Sequence, residues 1–229
     1  MAQSYRTSSR NGEHMKRPRR IISWNARVGR RPALVVLALW AWVRLRRPDV
    51  IVLLESTRYV HDIREAFHKD WRTYRRGSDV VVMVRRDLPQ PTVNELSHDT
   101  PWRGPHAGIA HRGRKWLQLD WPNFRLVAVH RVPGGPSGGI QTRGANRPAW
   151  EAEDFLLATA ISTPSPVLIV GDQNAKVDEM RDFMARHGLR PITTGAKVDW
   201  AMRRKVRGSG KRLGRRGSDH PAVLYRLLP

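Results

Sequence analysis

The chain has 229 residues, no cysteine and a formal net charge of +22, most of it arginine. Without cysteine there is no disulfide framework and no thiolate metal site. The most apolar stretch, 33–43, lies inside the chain and is about a dozen residues, too short for a membrane span and misplaced for a secretory signal. Length and composition point to a soluble cytoplasmic monomer built on one large α/β domain. The charge favours a polyanionic partner, nucleic acid before an acidic membrane surface.

Residues 1–20 are polar and basic and end in Lys16-Arg17-Pro18-Arg19-Arg20, which reads as a disordered arm before a catalytic domain spanning 21–229. Ile21 to Asn25 is a short strand ending in asparagine. A basic loop leads to Pro32, a good first helical residue, and a mostly buried helix follows over 33–45. Val50 to Leu54 is a second buried strand that runs into Glu55. Strand, helix, strand suggests a crossover unit. A short helix follows over 60–68, then a hairpin of 73–76 and 79–85 turning at Gly77-Ser78. Residues 88–114 read as loop, with Trp102, Arg103, His106, His111, Arg112 and Arg114 as a possible contact surface. Strands over 115–121 and 124–129 form another hairpin, the second ending at His130. A long Gly/Pro loop, 133–147, precedes a helix over 148–162.

The apolar run Pro166 to Val170 then ends abruptly in Gly171-Asp172-Gln173-Asn174. Gly171 permits a turn or a close backbone approach. In an extended chain Asp172 and Asn174 share a face, although an Asx-rich turn alone would explain the same residues. A helix over 179–187 stops at Gly188, and a strand over 197–202 carries Asp199. Residues 203–216 form a basic, glycine-containing loop without an acid, followed by Ser218-Asp219-His220-Pro221 and a last strand over 222–227. Trp40 and Trp150 are expected in the core.

One situation recurs along the chain. Asn25, Glu55, His130, Asp172 with Asn174, and Asp219 with His220 each stand at the end or start of an apolar strand. Strand ends on one side of a sheet converge on a crevice, the usual place for a site in layered α/β folds. In order and spacing, Ile22-Ser-Trp-Asn25, Leu54-Glu55, Val129-His130, Gly171-Asp-Gln-Asn174, Val198-Asp199 and Ser218-Asp-His-Pro221 resemble the endonuclease/exonuclease/phosphatase superfamily, the group of deoxyribonuclease I and the exonuclease III-type enzymes. Leu54 and Gln173 depart from that pattern, standing where a glutamine and an apolar residue are usual.

The resemblance implies a four-layer α/β sandwich of two packed mixed β-sheets flanked by helices. It implies phosphoester hydrolysis with Mg²⁺ or Mn²⁺, held by Glu55, Asn25 and Asp219. Asp172 would orient or deprotonate the attacking water. Asn174 and His130 would hydrogen-bond the phosphate, and His220, oriented by Asp199, would stabilise the transition state or move a proton. The basic loop, with Arg203, Arg204, Lys205, Arg207, Lys211, Arg212, Arg215 and Arg216, reads as a backbone clamp that gives affinity without sequence choice. The expected activity is a DNA endonuclease of low sequence specificity. A phosphatase or lipid phosphodiesterase of the same superfamily, and a silent nucleic-acid-binding module, are the alternatives.

Overall fold

A computed structural model describes residues 17–26, 32–56, 59–75, 80–103, 110–133, 146–214 and 218–229. Most of the expected arm, the turn at Gly77 and Ser78, His106, Arg215 and Arg216 lie outside the described residues, as do the side chains of His111 and Arg112. The first half of the chain forms β1 (Arg20–Asn25), α1 (Pro32–Arg46), β2 (Val50–Leu54), α2 (Val60–Phe67), β3 (Trp71–Tyr74), β4 (Val80–Arg85), β5 (Thr92–Arg103) and β6 (Ala110–Trp121). The second half forms β7 (Phe124–His130), α3 (Arg147–Ile161), β8 (Val167–Asp172), α4 (Arg181–Arg186), β9 (Arg190–Ile192), β10 (Ala201–Arg204), β11 (Gly208–Gly214) and β12 (Ala222–Leu227).

The strands make two six-stranded sheets, one in the order β11-β12-β1-β2-β4-β3 and the other β5-β6-β7-β8-β10-β9. At the centre of each is one parallel pair, β1 with β2 and β7 with β8, flanked by antiparallel neighbours. Parallel neighbours need a crossover, and here α1 and α3, 15 residues each, supply it. The two pairs therefore end together, with Asn25 beside Leu54 in one sheet and His130 beside Asp172 in the other.

Side-chain alternation along the strands builds three apolar layers. Val50, Val52 and Leu54 meet Leu126, Ala128, Leu168 and Val170 between the sheets. The opposite faces bury Ile51 and Leu53 with Leu39, Trp42 and Ile63 of α1 and α2, and Val127 and Ile169 with Leu157, Ile161 and Phe183 of α3 and α4. The result is the expected four-layer sandwich. Among the described residues no helix is long and apolar enough to cross a membrane.

Four expectations need correction. Most of the loop expected over 88–114 is strand: it holds β5 and the first part of β6, and the two strands pair antiparallel from Thr92 opposite Asp120 to Arg103 opposite Ala110, with a bulge between His98 and Pro101. As an edge strand, β5 exposes one face and tolerates a proline at its bulge, so its composition reads as loop. The basic loop expected over 203–216 is instead the end of β10 and the edge strand β11, paired along β12. Gly210 packs tightly there: a Cβ would lie 2.7 Å from Thr194 Cγ2, so one of the two would have to shift. Asp199 precedes β10 and touches the sheet by an isolated bridge to Asp172. Trp40 is 41% exposed and packs on Phe67, whereas Trp150 is buried as expected. Because α1 is apolar all round, its sequence does not mark which side faces solvent.

Candidate active site

The mouth of the site lies where the two parallel pairs end. Asn25, the last residue of β1, is 1% exposed and donates Nδ2 to Glu55 Oε1 at 3.2 Å and to Asp172 Oδ2 at 3.3 Å. This amide joins the two sheets. Glu55 follows β2 with φ at 52°, and Asn174 follows β8 with φ at 46°. Non-glycine residues rarely take this left-handed conformation, and such strain collects at functional sites where packing enforces it.

Asp172 is 2% exposed. Its Oδ1 accepts the Asn174 backbone N–H at 2.9 Å, so the strand ends in an Asx turn. That turn places Asn174 so that its Nδ2 donates to the Arg131 carbonyl at 2.7 Å. Gln173 points away, buried, with Nε2 on the Trp200 carbonyl.

His220 Nδ1 lies 2.9 Å from Asp199 Oδ2 and 3.7 Å from Asp172 Oδ2. The hydrogen bond His220 donates to Asp199, opposed in part by burial, pushes the His220 value up from 6.5 to about 9. Burial also raises Asp199 above the usual carboxylate value. Both directions favour a shared proton between them. The Asp219–His220 step turns as Pro221 suggests: the Ser218 hydroxyl donates to the Asn25 carbonyl at 2.7 Å and accepts the His220 N–H at 3.1 Å. Ser218 is thus a buried brace, marked in the sequence only by its place in the Ser-Asp-His-Pro motif.

His130, 4% exposed, directs Nε2 to Glu55 Oε1 at 3.5 Å. Its carbonyl accepts the indole N–H of Trp116, and its Nδ1 lies 3.2 Å from Arg114 Nη1. Next in sequence, Arg131 is fully buried between Glu153 and Asp154 of α3, with its guanidinium 3.8 Å from the Trp150 ring. Sequence reasoning missed both arginines in these roles. Basic residues in a charge-rich chain carry no mark of burial.

Asn25, Glu55, His130, Asp172, Asn174, Asp199 and His220 therefore come together, and Asp219, exposed, stands at the rim beside them. Among the described residues, ligand atoms of Asp172, Asp199 and His220 lie within 4.8 Å of one another. Those atoms are already tied to each other and to Asn25 and Asn174. The all-oxygen set of Asn25, Glu55 and Asp219 suits a hard divalent cation better.

The described residues of the proposed clamp, Arg203 to Arg212, do not all lie near the mouth. Arg204 and Arg203 pair with Val167 and Leu168, the start of β8, about 17 and 13 Å along the strand from Asp172 at roughly 3.3 Å per residue. Arg204 grips the carbonyls of Ile161 and Thr163, and Lys205 that of Pro164, so both secure the end of α3. Arg207 lies beyond them, its carbonyl bonded to the Leu228 N–H. Lys211 and Arg212, on β11, return toward the site opposite Leu224 and Val223.

The architecture recurs in solved structures. A functionally unknown conserved protein from Enterococcus faecalis V583 matches with a TM-score of 0.66 at 14% identity, over 91% of this chain and 99% of its own. TDP2 from C. elegans matches at 0.64 and 16% identity, over 95% and 78% respectively. The Bacteroides thetaiotaomicron mannosyl-6-phosphatase Bt3783 matches at 0.64 and 15%, over 92% and 99%. No curated protein matches the chain in sequence. The sequence profile of the Endonuclease/Exonuclease/phosphatase family matches residues 22–220, a span that begins in β1 and closes on His220. Since that span contains every strand-end residue gathered at the mouth, the chain belongs to this family of phosphoester hydrolases.

Proposed function

We propose that the chain is a metal-dependent phosphodiesterase that cuts nucleic acid backbone, DNA in the first instance, with low sequence specificity. The supporting observation is the unbroken run of contacts Glu55–Asn25–Asp172–His220–Asp199 in a chain of charge +22. A phosphodiester is already an anion, so its hydrolysis needs placed donors and positive charge more than a strong nucleophile.

Asn25, Glu55 and Asp219 would hold Mg²⁺ or Mn²⁺, which when bound takes up charge on the phosphate oxygens. Asn25 fits that task in that its Nδ2 donates to two carboxylates and its Oδ1 is the amide's acceptor atom, the type a hard cation takes. Asp172, fixed through both oxygens, would receive a proton from the attacking water and hold that water in line. Asn174 spends one amide proton on Arg131 and has a second to offer a phosphate oxygen. His220, held by Asp199 through Nδ1, presents Nε2–H to the phosphate, and its raised value keeps it cationic at neutral pH.

The test is incubation of the purified protein with supercoiled plasmid and Mg²⁺, beside EDTA and Asp172→Asn controls. Nicking that requires both the metal and Asp172 is the expected result. If the plasmid stays intact while small phosphomonoesters are hydrolysed, the site belongs to a phosphatase. A salt-sensitive mobility shift without hydrolysis of any phosphoester would leave a binding module.

A further inference from the structure

Arg114 is a cation outside the strand-end motifs that touches a side chain of the proposed site, His130. Its setting is built by a local irregularity. The β5–β6 ladder shifts register between His98 and Pro101. Opposite that shift Gly113 takes φ of 61°, where a Cβ would lie 2.0 Å from the His98 carbonyl oxygen. Bulges of this kind re-aim a neighbouring side chain. Here the Arg114 guanidinium lies 4.2 Å from the centroid of Trp102, whose indole N–H is anchored on the Gly113 carbonyl at 2.9 Å. With one face on the indole, its edge reaches His130 Nδ1 at 3.2 Å.

Every polar atom of a guanidinium is a donor. The contact therefore requires His130 Nδ1 to carry the lone pair, which puts the ring proton on Nε2. That nitrogen faces the site, 3.5 Å from Glu55 Oε1. In the other tautomer, a bare Nε2 would face a carboxylate and the oxygens of an incoming phosphate, with no proton to give. The geometry points to Arg114 as a positioning residue for phosphodiester hydrolysis: braced on Trp102, it fixes His130 as the Nε2–H tautomer and so keeps a hydrogen-bond donor aimed at the phosphate. This rests on the reading of His130 as a phosphate contact. It differs from a direct grip on substrate in that the guanidinium acts through the imidazole it touches, with its face on Trp102 and its edge on His130 Nδ1.

The test pairs a spectroscopic readout with kinetics, on Arg114→Met, which keeps the stem against Trp102, and Arg114→Lys, which keeps a donor. Two-bond ¹⁵N–¹H correlation of the imidazoles, in EDTA and without nucleic acid, should show His130 with a bare Nδ1 and a protonated Nε2. In Arg114→Met that preference should weaken, with the Nδ1–H form rising, and in Arg114→Lys it should be retained. Cleavage of a fluorescein-labelled DNA duplex should fall about 10–100-fold in kcat for Arg114→Met with KM little changed, as for other residues that orient a site group. An unchanged His130 spectrum in folded Arg114→Met overturns the proposal. So does a rise in KM at constant kcat, which would make Arg114 a direct substrate contact. If the wild type shows the expected spectrum and the preference weakens in Arg114→Met, but no DNA is cleaved, the positioning role stands and the nuclease reading is what fails.

Discussion

At the residue scale, the Asp199–His220 pair ties stability to pH. His220 titrates at about 9 in the folded protein against an ordinary 6.5, chiefly through its hydrogen bond to Asp199. A value raised by folding means that the native state holds the proton more tightly. The pair's contribution is then complete below the unfolded value and is lost as pH rises through the folded one. In EDTA, the advantage of wild type over the non-titrating His220→Gln variant should be full near pH 6 and vanish toward about pH 10. Urea midpoints across that range decide it, and a constant difference would show that the proton is not shared as the geometry implies. Asp199→Asn should lower kcat on the order of 10²-fold or more, because His220 loses both its orientation and its counter-charge. Duplex cleavage at saturating substrate measures this, and full activity would remove Asp199 from the site. Asp172, Asn174, Asp219 and His220 were legible in sequence because they sit in short motifs at strand ends. Ser218 was legible only as a motif letter, since its work is done through Asn25, 193 positions away.

At the element scale, the parallel pair β7–β8 depends on one glycine. Gly171 has φ of 137°, and a Cβ there would stand 1.9 Å from the Val129 carbonyl oxygen. Gly171→Ala must therefore separate the two strands that carry His130 and Asp172. A loss of about 3 kcal/mol or more in urea unfolding is expected, within the class of backbone-strain mutations; a loss under about 1 kcal/mol would mean that the strands part easily. The docking of α3 has a different dependence. Arg131, fully buried, pairs with Glu153, which also accepts the Val132 N–H at 2.9 Å. Removing one partner leaves a buried charge uncompensated, so Arg131→Met should cost roughly 3–5 kcal/mol, and Arg131→Met with Glu153→Gln should recover part of it. Equilibrium unfolding of the three proteins measures both effects. Gly171 announced itself in the sequence because a glycine ending an apolar run signals a turn or close backbone approach. The buried arginine did not, and neither did β5. A half-exposed edge strand holding Pro101 and many polar residues has the composition of a loop, and only its partner β6 makes it a strand.

At the scale of the whole molecule, the net charge of +22 pointed to a polyanion, but its placement depends on strand direction, which composition does not carry. Because β10 runs antiparallel to β8, residues just after Asp199 leave the mouth, and those on β11 come back toward it. A duplex held with one phosphate among Asn25, Asp172 and His220 would then meet Lys211 and Arg212 but not Lys205 and Arg207. Each phosphate neutralised by a protein cation releases condensed counterions, so log K falls with log salt at about −0.9 per contact on duplex DNA. Replacing Lys211 and Arg212 together by glutamine should therefore weaken binding and flatten the salt dependence by roughly two contacts. Replacing Lys205 and Arg207 in the same way should leave the slope unchanged. Titration of labelled duplex by fluorescence anisotropy in EDTA, over a range of salt, measures both slopes. Equal flattening by the two pairs would mean that DNA wraps the far end of the sandwich as well. Flattening by the Lys205 and Arg207 pair alone would put the duplex on the opposite end from the polar cluster, and binding would then be separate from any chemistry at the mouth.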